Sequence, residues 1–225
     1  MQKINHKKKG NPHTHRYAFG KQEELISFSK VLELVDKSKL SKSELAYFWL
    51  LYYTGVRKSE AYERTAEDFK IKEDQVIIDF HQRKKRGATP KPLKLPLHWP
   101  GVSLIVDCVS KAQERKPSTK TIFIYSKKVK TTKKVKARYV FPHIQSTHAW
   151  KIVKQVLGPK YYPHFLRLNR LSEIGSEPSA NLLRLKSVSG IKSISTLRKY
   201  LGVSEKEQDE AFSLMDQKIR DHLKS

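Results

Sequence analysis

Between Gln22 and Phe80 the apolar residues change their spacing from that of a helix to that of a strand, so the chain packs helices against a sheet. Leu25, Ile26, Phe28, Val31, Leu32 and Val35 recur at helical intervals, which predicts an amphipathic helix over Gln22–Lys37. Ser41 and Glu44 make a capping-box pattern ahead of a second, more apolar helix through Tyr53. Thr54-Gly55 ends that helix, and a third, short one carries Arg57, Glu60 and Tyr62. From there the period is two. Phe69–Lys72, Val76–Phe80 and, beyond a basic turn from Arg83 to Lys91, Leu93–Leu97 read as strands of a small antiparallel sheet. Ser103–Ala112 returns to a helix. The expected fold is α+β, mostly helical with a small antiparallel sheet.

Further on, Thr121–Tyr125 and Ala137–Phe141 are β-rich runs flanking Lys127, Lys128, Lys130, Lys133, Lys134 and Lys136, which reads as a lysine-rich hairpin. Such a run either solvates an edge strand against aggregation or contacts phosphates. From Thr147 to Tyr200 the chain reads as mainly helical, with breaks at Gly158, Pro163, Gly175–Ser179 and Gly190. Ser204 and Glu207 form another capping pattern, and Ala211, Phe212, Met215, Ile219 and Leu223 stripe one face of a last helix over 204–225. That face packs on its own core or docks in trans on a second copy.

The 225 residues suit one domain with appendages, since domains run about 100–200 residues. Forty-six basic against 22 acidic residues leave a formal charge of +24, and the first partner class for such a body is a nucleic acid. Residues 1–20 hold Lys3, Lys7, Lys8, Lys9 and Arg16 with Gly10 and Pro12, a composition that cannot bury itself and reads as a flexible basic arm. His13 and His15 within it are solvated polar residues rather than a metal site. A single cysteine, Cys108, excludes an internal disulfide and any cysteine-cluster zinc site. No apolar run approaches the ~18 residues of a membrane span, and no apolar segment follows the N-terminal charges as in a secretory signal. The expectation is an intracellular protein of the cytoplasm or nucleoid, of the host cell if viral.

Four segments stand out together: Thr54-Gly55-Val56-Arg57-Lys58-Ser59-Glu60, Lys84-Lys85-Arg86-Gly87, His164-Phe165-Leu166-Arg167, and Ser193-Ile194-Ser195-Thr196-Leu197-Arg198-Lys199-Tyr200. In order, spacing and residue type they resemble the catalytic domain of the tyrosine recombinases, the phage-integrase family, with a pattern similar to that of archaeal viral integrases. In that family an apolar helix ends in Thr-Gly-x-Arg-x-x-Glu, a hairpin carries a lysine, His-x-x-Arg follows, and a tyrosine comes some thirty residues later. Arg167 and Tyr200 are 33 residues apart here (200 − 167). The resemblance implies the DNA breaking-rejoining fold over 21–203, duplex DNA as partner, a homo-oligomer assembled on it, and neither metal nor cofactor.

A phosphodiester resists attack because it is anionic and its alkoxide leaves poorly, so an enzyme must neutralise the phosphate, supply a nucleophile and protonate the departing oxygen. By resemblance, Arg57 and Arg167 clamp the phosphate with guanidinium forks that never lose their charge. Tyr200 attacks, giving a covalent 3′-phosphotyrosine. Lys85 protonates the 5′-oxygen if the register is counted back from Gly87, whereas strand length admits Lys84. His164 assists proton transfer at the nucleophile, and Glu60 orients the arginines. The family usually has His or Trp nine residues before the tyrosine. Ile191 stands there, without a donor, so the contact is absent or comes from Lys192. A basic arm of about twenty residues cannot form the family's N-terminal DNA-clamping domain, so the sequence is a fragment, the gene is split, or the arm and the Lys127–Lys136 hairpin hold the duplex between them. Three rival expectations follow: an inactive descendant that only binds DNA, a type IB topoisomerase-like relaxer, and a basic RNA-binding protein, the last leaving the motif spacing unexplained.

Overall fold

The computed structural model describes residues 25–80, 91–126 and 129–175. The elements in chain order are α1 (Phe28–Asp36), α2 (Lys42–Thr54), α3 (Lys58–Tyr62), β1 (Phe69–Ile71), β2 (Gln75–Phe80), β3 (Lys91–Pro96), α4 (Val102–Glu114), β4 (Ser118–Ser126), β5 (Val129–Ala137), α5 (Ser146–Leu157) and α6 (Pro163–Gly175). Among the described residues no helix is long and apolar enough to cross a membrane.

The centre of the molecule is α2. Every residue from Ala46 to Thr54 is buried, so this helix has no polar face and must be wrapped by others. It packs against α3, α4, α5 and α6. Its start is the capping box expected from sequence, with the Ser41 amide donating to Glu44 Oε2 at 2.8 Å and the Glu44 amide donating to Ser41 Oγ at 3.4 Å. Its end is Gly55, at φ +57°, a left-handed position that other residues reach only with strain. Gly101, at φ +74°, has a second reason to lack a side chain, because a Cβ there would lie 1.9 Å from the Trp49 ring.

The first helix begins later than the apolar spacing suggests. Residues 25–27 are not helical, Ser27 is the N-cap and accepts from the Lys30 amide, and Ile26 is held outside the helix. Its amide donates to Asn169 Oδ1 at 3.0 Å, and Asn169 Nδ2 donates back to its carbonyl at 3.2 Å. An apolar period does not show where backbone groups find partners outside the helix.

Strands β1, β2 and β3 form an antiparallel sheet in that order, with Phe69 opposite Ile78 and Val76 opposite Leu95. Val76, Ile78 and Phe80 face the core while Gln75, Ile77 and Asp79 are half-buried, the alternation expected of a one-sided sheet. The basic turn with Lys84 and Lys85, between β2 and β3, lies outside the described residues.

β4 and β5 make a separate two-stranded ribbon, Ser118 opposite Ala137 and Ser126 opposite Val129. The hairpin is present, but its second strand is not Ala137–Phe141. Lysines 130, 133, 134 and 136 sit within β5 itself, while Tyr139 only bridges Thr65 and Val140 and Phe141 enter the core. Lys127 and Lys128, the helix expected over 204–225 and residues 1–24 lie outside the described residues.

Candidate active site

The end of α2 and the start of α3 build one wall of the site. Thr54 Oγ1 donates to the Leu50 carbonyl at 2.5 Å, Gly55 reverses the chain, and Arg57 becomes the residue capping α3. Glu60, on α3, is almost fully buried and holds Arg57 at two points. It accepts from the Arg57 amide at 3.0 Å and from its Nη1 at 2.8 Å. Arg57 nevertheless keeps 39% of its side chain exposed, so the fork is aimed and still accessible.

The opposite wall comes from the start of α6. His164, Phe165, Leu166 and Arg167 complete one helical turn, which sets His164 and Arg167 on adjacent positions of one face. Arg167 is buried, and its Nη1 donates to the Gly55 carbonyl at 2.6 Å. The turn that presents Arg57 therefore also anchors Arg167, 112 residues away. Next to them, Arg170 Nε donates to the Tyr53 carbonyl at 3.1 Å, so two successive turns of α6 are pinned to the end of α2.

Between the walls lies a cleft of about 220 Å³ lined by Val56, Arg57, Lys58, Ser59, Trp150, Pro163 and His164. His164 is solvent-accessible at the rim, yet its pKa is lowered by the atoms crowded about its ring and then by the charges of Arg167 and Arg57. Arg57 and His164 line the same cleft, and Arg167 lies one helical turn from His164, so the three side chains are neighbours. Desolvation and like charge both disfavour the imidazolium, so His164 is neutral at pH 7 and has a lone pair to accept a proton.

Of the residues selected from sequence, Arg57, Glu60, His164 and Arg167 come together here. Lys84, Lys85, Lys192 and Tyr200 lie outside the described residues, as does Ile191. Five of the lining residues went unselected, Lys58 and Trp150 among them. Lys58 was only a spacer in a motif, and Trp150 occupies an ordinary position of an amphipathic helix, with no local signal to mark it.

Two buried cations that sequence reasoning also passed over hold the site from behind. Arg64 Nε donates to the Glu60 carbonyl at 2.8 Å and its Nη1 to the Asp79 carbonyl at 3.2 Å, which joins α3 to the sheet. Lys120, on β4, donates to the carbonyls of Tyr62 at 2.7 Å, of Ile144 at 3.2 Å and of Phe141. Its Nζ also lies over the rings of Tyr139 and Tyr62, at 4.9 and 5.5 Å. The base of the ribbon is thereby fastened to the end of α3. Burial pushes this ammonium down to about 7.

The model of the phage integrase family matches residues 21–207, and the chain belongs to that family. Similar solved structures share its fold. XerH site-specific recombinase bound to its difH substrate superposes with a TM-score of 0.59 at 17% identity, over 83% of this chain and 52% of that one. XerA recombinase gives 0.56 at 14% identity, over 85% and 62%. A Tn1549 transposon integrase fragment in complex with transposon right end DNA gives 0.56 at 14%, over 88% and 67%. The chain thus spans about half the length of the XerH chain. No curated protein sequence matches it.

Proposed function

We propose that this chain is a site-specific DNA recombinase or integrase that cuts and rejoins duplex DNA through a 3′-phosphotyrosine. The observation that carries this reading is the cleft in which Arg57 and His164 face each other with Arg167 locked behind them by the Gly55 carbonyl. In the reaction, Arg57 and Arg167 bind the non-bridging oxygens of the scissile phosphate and neutralise the charge that builds there. Neutral His164 takes the phenolic proton of Tyr200 as its oxygen attacks phosphorus. The bond from phosphorus to the 5′-oxygen breaks, and Lys85, or Lys84 if the turn is shifted by one, delivers a proton to that oxygen. Reversal with a new 5′-hydroxyl rejoins the strand and frees Tyr200, so neither an external energy source nor a cofactor is needed.

The titratable histidine supports this assignment. Burial and the neighbouring guanidiniums lower its pKa, which favours the neutral imidazole that proton transfer from Tyr200 requires. The lysines of the ribbon, Lys127, Lys128, Lys130, Lys133, Lys134 and Lys136, hold the flanking duplex, assisted by the arm at 1–20. Exchange between two sites requires several copies on the DNA, with the helix at 204–225 docking in trans, in the cytoplasm or nucleoid where the DNA lies.

The test is covalent trapping on a pool of nicked duplexes of random sequence. Wild-type protein should give an SDS-stable adduct mapping to Tyr200, and Tyr200→Phe should bind DNA equally but give none. An adduct that persists in Tyr200→Phe defeats the assignment.

A further inference from the structure

The cleft extends past Arg57 to a part that the proposed chemistry leaves unused. Lys58 follows Arg57 in sequence, and its main chain is fixed because Tyr47 Oη donates to its carbonyl at 3.0 Å. Its ammonium donates to Ser146 Oγ at 2.7 Å and lies 5.4 Å from the centre of the Trp150 ring. A hydroxyl and an aromatic face are weak company for a cation. Among the described residues no carboxylate pairs with Lys58, and burial lowers its pKa. Trp150 is 38% exposed, one of three large apolar side chains left open among the described residues. Tyr162 stacks on it at 5.4 Å and 20°, and Lys154 Nζ lies 5.8 Å from its centre. An indole braced by stacking, open to a cleft and surrounded by ammonium groups is a rigid apolar platform in a positive field.

We propose that Lys58 and Trp150 form a second anion subsite, which takes the phosphodiester next to the one gripped by Arg57 while the intervening deoxyribose packs on the Trp150 indole. This rests on the reading of the cleft as a phosphate site. Arg57 and Lys58 are consecutive residues lining one cleft, and the long lysine stem lets its ammonium reach a phosphate neighbouring the one held by Arg57. Lys58 is the suitable partner because its flexible stem can leave the Ser146 hydroxyl for a stronger anionic acceptor. The subsite carries no base-reading contact and positions the strand without selecting sequence. Two contacts on one strand also fix the direction of the backbone through the cleft, which a single clamped phosphate leaves free to rotate.

The test is a salt titration of full-length protein binding a fluorescein-labelled duplex of mixed sequence. Each phosphate contact contributes about 0.9 to the slope of log affinity against log salt. Lys58→Gln should flatten the slope by about that amount, Lys58→Arg should restore it, and Ser146→Ala, which removes only the resting hydrogen bond, should leave it unchanged. A slope that falls in Arg57→Gln but not in Lys58→Gln overturns the subsite and leaves the cleft reading standing. A slope unmoved in both variants overturns the two together. A second readout needs no lysine variant: DNA should change the tryptophan emission of the wild type, and Trp150→Phe should abolish that change. If the wild type shows no change, or Trp150→Phe retains it, the platform is not used and the proposal falls.

Discussion

A single carbonyl oxygen, that of Gly55, ties Arg167 to the turn that presents Arg57, and the residue that supplies it has little freedom to change. Alanine at 55 would have to adopt φ +57° and would bring a Cβ within 3.3 Å of Arg170 Cβ. Gly55→Ala should therefore cost about 1–2 kcal/mol of stability, read from the urea midpoint. Cleavage should fall further than that loss explains, because the carbonyl that holds Arg167 moves. Lys120 gives a second prediction at this scale. Its folded pKa, about 7, is below the unfolded value, so above pH 7 the unfolded chain binds more protons there and stability rises with pH until the unfolded lysine also titrates. The rise approaches about 1.4 kcal/mol per pH unit. Lys120→Met should flatten it, which urea midpoints at pH 7 and pH 9 would measure. Arg57, His164 and Arg167 were legible because their spacing from glycine and from one another is itself the pattern. Lys120 was not, since its three acceptors are carbonyls that belong to residues of any type.

Elements were legible where hydrophobic period and capping agreed. Helix α2 and strand β2 follow their apolar patterns closely, and Ser41 with Glu44 marks the beginning of α2. The ribbon was harder, because β5 is a strand rich in like charges and its conformation comes from pairing with β4 rather than from a buried face of its own. A two-stranded ribbon is marginal alone; this one is fastened at its base by Lys120 and by the bridge between Thr65 and Tyr139. Lys133, Lys134 and Lys136 are exposed on it. Changing these three to glutamine should lower the salt slope of DNA binding by about 2–3 and leave the thermal midpoint within a degree or two. An unchanged slope would show that these lysines only keep the strand soluble.

Across the whole molecule, the charge pointed towards a polyanion and the order of motifs indicated the family, but neither located the cleft. Its second wall arrives from α6, more than a hundred residues after Arg57, and only packing around the buried Ala46–Thr54 stretch of α2 brings the two walls together. Local periodicity does not encode such a meeting, whereas a resemblance across four segments does, because it carries the arrangement already solved by other chains. The anchor between Arg167 and the Gly55 carbonyl also bears on how such chains can recombine with one another. A chimera that takes residues up to α3 from one relative and α6 from another joins a turn and a guanidinium that were never fitted together, so functional hybrids should have their crossovers outside this interval. Inheritance of the two motifs as a unit is then a matter of one shared hydrogen bond.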